Sequence, residues 1–419
     1  MDFRNPALLK LALYCEGMRI DPEARNELES GREIMRTRAG LGSGLELIIP
    51  PNLWTNVPVE EPFCQQSPFV FHIKNGNCQI VHEPSGQAIE VALAPRPEWY
   101  DASCSTGKAM TSVGTLQGTY LGIYPTKVCE FWQGSTKENC KFCSVGLNLG
   151  NWDAPEKRLD EVIEVVERAR NSSKITYVDF NTGHYEDESY LDVLEPILIE
   201  VKKRTGLLIG VQTPPHSNLD RYRRLRDLGV NRVSFCFEIY NPERFSEICP
   251  GKERFYGLDR YLETMDFCAS LSSRQSLSEP WVTNGEIIAG LEPAEWSIKA
   301  IDRICSVGAI PTVCVFRPLI GTAYEHLDPP KTNEMIPVFR HLYEQCMSAG
   351  LPIGLAPNIH VSLVMLPEEC AHLSPQSNAW SMVPKKLGLG VKRWVFSSRF
   401  QKKLAVYDHR RQLATAAVS

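Results

Sequence analysis

The chain has 419 residues, 43% of them hydrophobic and 23% charged, the composition of a globular protein with a large core, which excludes disordered, collagen-like and fibrous readings. Lys+Arg 45 against Asp+Glu 50 leaves a net charge of −5, too small an imbalance to imply a nucleic-acid or membrane partner for the whole chain. No apolar run approaches the ~20 residues of a membrane span, and the apolar stretch 7–15 is broken by Lys10 and lacks a basic start and a cleavage site, so a cytoplasmic protein is expected.

Residues 1–115 read as a small α+β cap. Helical patterns cover 6–17 and 21–38, and a strand meander follows. Phe69, Phe71 and Ile73 alternate with more polar neighbours, Asn75-Gly76 supplies a hairpin turn, and Ile80, Ile89, Val91 and Leu93 continue the alternation. From Gly118 onward the pattern becomes a repeated strand-then-helix cycle. Strands are expected at 119–124, 175–180, 207–212, 232–239, 286–291 and 311–316. Helices are expected at 159–169, 191–203, 219–228, 258–268 and 296–307. A further helix at 333–349 and a strand-like 353–355 prolong the cycle. Apolar strands alternating with amphipathic helices predict an α/β fold, a partial parallel (β/α)6 TIM-like barrel over 116–345, preceded by the cap and followed by an extension over 346–419. That extension is basic: from Pro384 to Ser419 nine Lys and Arg face one acid, Asp408. With Trp394, Phe396 and Phe400 interleaved, it could dock an acidic carrier protein or be a solvated helix face; nucleic acid is not expected.

In a reducing compartment the 14 cysteines are read for metal or catalysis rather than for disulfides. Cys129, Cys140 and Cys143 follow the first strand of the cycle with the spacing Cys-x10-Cys-x2-Cys. Three thiolates on one loop can hold three irons of a cubane cluster and leave the fourth iron open. A structural zinc site would need a fourth protein ligand, and none is close in sequence. A lone dithiol and a zinc site completed from afar remain open at this point. Of the other cysteines, Cys236, Cys305 and Cys314 read as small core hydrophobes.

The three cysteines after the first barrel strand, with Phe142 between the last two, resemble the radical SAM superfamily, although the first gap is longer than that family's usual three residues. The resemblance extends over about half the chain and is biotin-synthase-like or lipoyl-synthase-like in strands four to six. It implies a [4Fe-4S] cluster held by Cys129, Cys140 and Cys143, with S-adenosyl-L-methionine as cofactor. Gly183, in Asn181-Thr182-Gly183, matches part of the turn that binds the amino group. Glu238 would approach the ribose hydroxyls, and Lys252 or Arg254 the methionine carboxylate. Ile288 and Phe316 would hold adenine, and Glu292 stands one position early in a family element.

Glu238, Arg317 and His184 are the candidate catalytic residues, the first two because they sit at strand ends, where a barrel presents its chemistry. Structural ion pairs are the competing reading for both charged residues, and a solvated loop position for His184, as for Tyr185 and His216. The resemblance implies hydrogen abstraction from a small-molecule substrate, a metabolite or cofactor precursor, with an electron donor such as flavodoxin or ferredoxin. The alternatives are a non-catalytic zinc-binding scaffold and an RNA-modifying enzyme of the same superfamily.

Overall fold

The computed structural model describes residues 1–29, 34–36, 43–133, 137–274 and 279–416. Seven strands, β1 (Arg19–Ile20), β2 (Met35–Arg36), β3 (Ser43–Ile49), β4 (Leu53–Val57), β5 (Phe69–Lys74), β6 (Asn77–His82) and β7 (Gln87–Leu93), form a first sheet in the order β1-β5-β6-β7-β3-β2, with β4 paired to β3. The hairpin expected at Asn75-Gly76 joins β5 to β6, and both residues take positive φ, 53° and 77°, as a tight two-residue turn requires. Helix α1 (Pro6–Glu16) starts where the Asn5 side chain accepts hydrogen bonds from the Ala7 and Leu8 amides. Its Leu9, Ala12 and Leu13 enter the core of this sheet, while Ala7, Leu11, Tyr14 and Cys15 enter the larger core of the second. A helix apolar on all sides is thus buried on all sides. Lys10 is fully buried and donates to Glu369 at 2.8 Å and to the Val361 carbonyl at 3.1 Å.

The second helix is shorter than expected. Helix α2 spans Pro22–Glu29, residues 30–33 and 37–38 of the expected helix lie outside the described residues, and Met35–Arg36 is a strand. The β3/β4 hairpin had no counterpart in the sequence reading.

The second sheet follows the strand-helix cycle. Strands β9 (Leu121–Ile123), β10 (Tyr177–Asn181), β11 (Leu208–Gln212), β12 (Arg232–Glu238), β13 (Val282–Ala289) and β14 (Ile310–Val315) pair in chain order, all parallel, and β8 (Gly114–Leu116) adds an antiparallel edge on β9. Between and after them lie α3 (Val145–Asn148), α4 (Leu159–Ser172), α5 (Tyr190–Thr205), α6 (Asp220–Asp227), α7 (Pro242–Ile248), α8 (Pro250–Phe255), α9 (Gly257–Ser270), α10 (Ala294–Ser306) and α11 (Thr332–Ser348). The sheet curls so that residues from β10 through β14 face a common interior.

Its two edges do not pair directly. Val361 bridges to Gly118 at one edge and Met365 to Val313 at the other, so residues 361–365 span the gap. The expected strand at 353–355 does not form; that stretch is irregular and leads into the closing segment. Helix α12 (Val383–Ala416) then lies across the outside, with Phe396 and Phe400 packed among Tyr120, Tyr177 and Leu208. Arg170 pairs with Asp408 at 2.8 Å, and Lys403 with Glu279. The basic tail is therefore a docked helix, where Lys385 donates to the Met347 carbonyl at 3.0 Å and Arg393 to the Gly354 carbonyl at 2.5 Å while Lys386, Lys392, Arg399 and Lys402 are exposed. Among the described residues no helix is long and apolar enough to cross a membrane.

Candidate active site

The parallel strands direct their C-terminal ends to one side of the barrel, and the cysteine loop folds back over that end. Cys129, Cys140 and Cys143 all line a cavity of about 160 Å³, together with Phe142, Gly183, His184, Glu238, Lys252 and Ile288. Among the described residues no three His, Cys, Asp or Glu side chains converge tightly enough to hold a single metal ion. The three thiols stand around a shared cavity instead.

The long first gap of the motif is laid on two different elements. At its start the Glu130 amide donates to the His184 carbonyl at 2.9 Å and the His184 amide donates to the Cys129 sulfur at 3.4 Å, which seats Cys129 against the exit of β10. At its end the Lys141 amide donates to the Ile248 carbonyl at 3.0 Å and the Gly251 amide to the Glu138 carbonyl at 3.1 Å, which seats Cys140 and Cys143 against the α7–α8 junction. Both seats need glycine. A Cβ on Gly183 would lie 2.4 Å from the Cβ of Cys129, and one on Gly251 would lie 2.6 Å from the Phe131 ring.

The electrostatics differ among the thiols. A hydrogen bond from Cys249, helped by the nearby Lys252 ammonium, holds the Cys140 thiol down at about 7 against its burial. Burial pushes Cys129 up to about 11 and Cys143 up to about 12. Lys252 donates to the Cys236 carbonyl at 2.6 Å and pairs with Glu238. Burial opposes its charge, yet the Glu238 carboxylate and the Cys140 thiol keep the ammonium well above its ordinary value. The Glu238 backbone sits at φ 60°, in the left-handed region, and the β12/β13 register shifts between Cys236 and Glu238. Such a bulge re-aims a side chain, at a local cost of order 1 kcal/mol.

His184 is not a solvated loop residue. It is 3% exposed, stacks on Phe131 with ring centroids 4.1 Å apart, and its Nδ1 is 2.5 Å from the Tyr256 hydroxyl. Burial lowers its pKa to about 4, so the ring is neutral near pH 7. Three other expected site residues lie outside the cavity. The Arg254 guanidinium is exposed and paired with Glu138. Arg317 is buried against the first sheet, where it donates to the Asn56 carbonyl at 2.8 Å and stacks over Tyr14. The side chain expected at the barrel mouth as a candidate catalytic residue thus runs toward the cap instead. Phe316 is buried edge-on to Tyr324. His216 also lies apart, accepting from the Asn218 amide at 2.9 Å. Glu292 accepts from the Asn241 amide at 2.8 Å and so fixes the loop after β12.

The sequence reading passed over several residues that the barrel turns inward. Cys236 and Cys314, read as core hydrophobes, line the cavity, and Gln212, Glu286 and Trp132 line it too. Glu286 accepts from Gln212 Nε2 at 3.3 Å and from the Cys314 thiol at 3.7 Å. An acidic residue directly before the apolar run Ile287-Ile288-Ala289 was the available signal. The donor set suits an iron–sulfur cluster: soft thiol ligands from one loop, a cavity beside them, and one buried cation to offset the negative charge of the thiolates.

Residues 136–321 match the model of the radical SAM superfamily, a span that holds Cys140 and Cys143 and begins after Cys129. The bacteriochlorophyllide c C-7(1)-hydroxylase of Chlorobaculum limnaeum is 20% identical over 258 residues, covering 57% of this chain and 62% of that protein. The chain thus spans about three-fifths of the length of that curated relative. Among solved structures, methylornithine synthase (PylB) is 16% identical with a TM-score of 0.41, covering 54% of this chain and 62% of its own. HydG, a maturase of the [FeFe]-hydrogenase, is 10% identical with a TM-score of 0.43, covering 70% and 77%. Residues 136–321 therefore carry a radical SAM domain, and members of that superfamily use an iron–sulfur cluster and S-adenosylmethionine.

Proposed function

We propose that the chain cleaves S-adenosyl-L-methionine reductively at a [4Fe-4S] cluster held by Cys129, Cys140 and Cys143 and abstracts hydrogen from a small metabolite or cofactor precursor. The observation that carries this reading is the gathering of all three motif cysteines around one cavity at the C-terminal ends of the barrel strands. When bound, the cluster and S-adenosylmethionine supply a 5′-deoxyadenosyl radical that can break a C–H bond. The name of the hydroxylase relative, which describes oxidation at a carbon, is compatible with such a first step.

The chain's own residues hold and shield that chemistry. Gly183 lets the β10 exit approach Cys129 closely enough to fix it. Lys252 offers a positive charge beside Cys140, and Glu238 keeps that ammonium in place. Neutral His184, held between Phe131 and Tyr256, walls the cavity with aromatic surface and limits water, which a reactive radical requires. Electrons would come from a small carrier such as flavodoxin or ferredoxin. Neither the zinc scaffold nor the RNA-modifying alternative is favoured by a specific observation. The test is an anaerobic assay: reconstituted protein, reduced with dithionite in the presence of S-adenosylmethionine, is expected to release 5′-deoxyadenosine. Its absence from iron-loaded protein overturns the reading.

A further inference from the structure

A second, larger cavity of about 530 Å³ occupies the opposite, N-terminal end of the barrel. Its wall is made by the first residues of the strands, including Leu208, Val282 and Ile310, and its cover by Ile353, Ile359 and Met365 of the closing segment. The surface it presents is largely aliphatic. Arg232, Glu286, Glu368 and Lys392 are the charged residues of its lining, and the Arg232 guanidinium is held inside the barrel by Asp179 at 3.1 Å, Ser234 at 3.1 Å and Asn284 at 3.0 Å. Asn181, Gln212 and Glu286 line this chamber and the cysteine cavity alike, so the two meet at a ring of hydrogen-bonding side chains. Exposed Lys392 and buried Phe396 of α12 also belong to its lining, which brings the chamber to the surface beside that helix.

We propose that this chamber is a binding site for a predominantly apolar organic molecule that carries a hydrogen-bonding group at its leading end, entering beside α12 and presenting that end to Asn181, Gln212 and Glu286. The volume falls in the ~300–1,000 Å³ range of sites for drug-sized ligands, and an aliphatic wall with a few convergent polar groups is the usual makeup of such sites. An amino acid or a sugar would leave most of the aliphatic wall unfilled, whereas a lipid-like or polycyclic molecule would cover it. As a statement about substrate this rests on the radical reading above, because it places the leading end next to the cysteine cavity; as a statement about binding it does not.

The experiment uses the iron-free full chain and two fluorescent probes, 11-(dansylamino)undecanoic acid and neutral N-phenyl-1-naphthylamine. At least one is expected to bind saturably at one site per chain. Ile359→Trp, which fills the chamber from its irregular cover, and Leu208→Trp, which fills it from the wall, are each expected to weaken that binding at least tenfold. Val193→Trp, on the exposed face of α5, is expected to leave it unchanged. If Leu208→Trp fails to fold, Ile359→Trp decides alone, with the melting temperature as the control for folding. No saturable binding of either probe, or binding that both filling variants retain, overturns the proposal. Because neither readout needs iron or S-adenosylmethionine, failure here is distinct from failure of the 5′-deoxyadenosine assay.

Discussion

The two ends of the barrel are built from different kinds of information. At the C-terminal end a single loop brings three cysteines, and the rest of the site is arranged around them: two glycines that let the loop lie close, and a buried Lys252–Glu238 pair beside it. At the N-terminal end no motif is present. The chamber there arises because six parallel strands curl without closing and residues 361–365, from far along the chain, bridge the gap. A reactive centre needs particular atoms at particular places, whereas an apolar chamber needs volume and a dry wall, which many side-chain combinations supply. Substitutions at the first end should therefore change chemistry, and substitutions at the second should change stability or ligand selection.

The largest expected effect lies in the cysteine loop. Cys140→Ala is expected to abolish both iron binding and 5′-deoxyadenosine formation, while Cys104→Ala, a buried thiol outside the cavity, retains both; iron analysis and product chromatography read the pair. The reverse pattern would mean that the ligand set is wrong. Lys252→Met comes next. It strands a buried carboxylate and is expected to cost about 3–5 kcal/mol of stability by chemical denaturation. Adding Glu238→Gln should restore most of that stability without restoring 5′-deoxyadenosine formation, which separates packing from function.

Gly183→Ala forces a Cβ against Cys129 and is expected to cost about 1–3 kcal/mol and to lower iron loading severalfold. At the other end, Arg232→Met leaves Asp179 without its ion-pair partner and is expected to destabilise the fold by roughly 3 kcal/mol while leaving the iron content at the wild-type level. Equal loss of iron in that variant would erase the distinction between the two ends.

The effect confined to one pH range concerns the join between the cap and the barrel. Glu46 of β3 accepts from the Gly118 amide at 3.2 Å and from Ser362, and burial raises its pKa to about 7. Its folded-state pKa exceeds the unfolded value, so the folded chain holds this proton more tightly. The resulting stability is fully present below about pH 4.5 and is lost as pH rises through about 7, a swing of up to about 3 kcal/mol. Glu46→Gln is expected to flatten that part of the melting-temperature profile.

Much of this organisation was legible in the sequence. The alternation of apolar strands and amphipathic helices marked all six parallel strands, because each buries one face under helices and turns the other into the barrel interior. The cysteines, Gly183, Glu238 and Lys252, expected at one site from the motif, a strand end and the family resemblance, line one cavity. Arg317 misled because a strand-end position does not say which way a long side chain turns, and here it turns to Tyr14 and Asn56 of the cap. His184 was undervalued because its burial depends on Phe131, Phe255 and Tyr256, all distant in sequence. The closing segment was invisible for the same reason: single bridges at Val361 and Met365 leave no periodic pattern.

The measurement that bears most directly on the central claim is the metal content and S-adenosylmethionine turnover of the anaerobically reconstituted full chain. Brown protein with about four irons per chain and 5′-deoxyadenosine released on reduction are expected. One zinc per chain, no iron and no 5′-deoxyadenosine would contradict it.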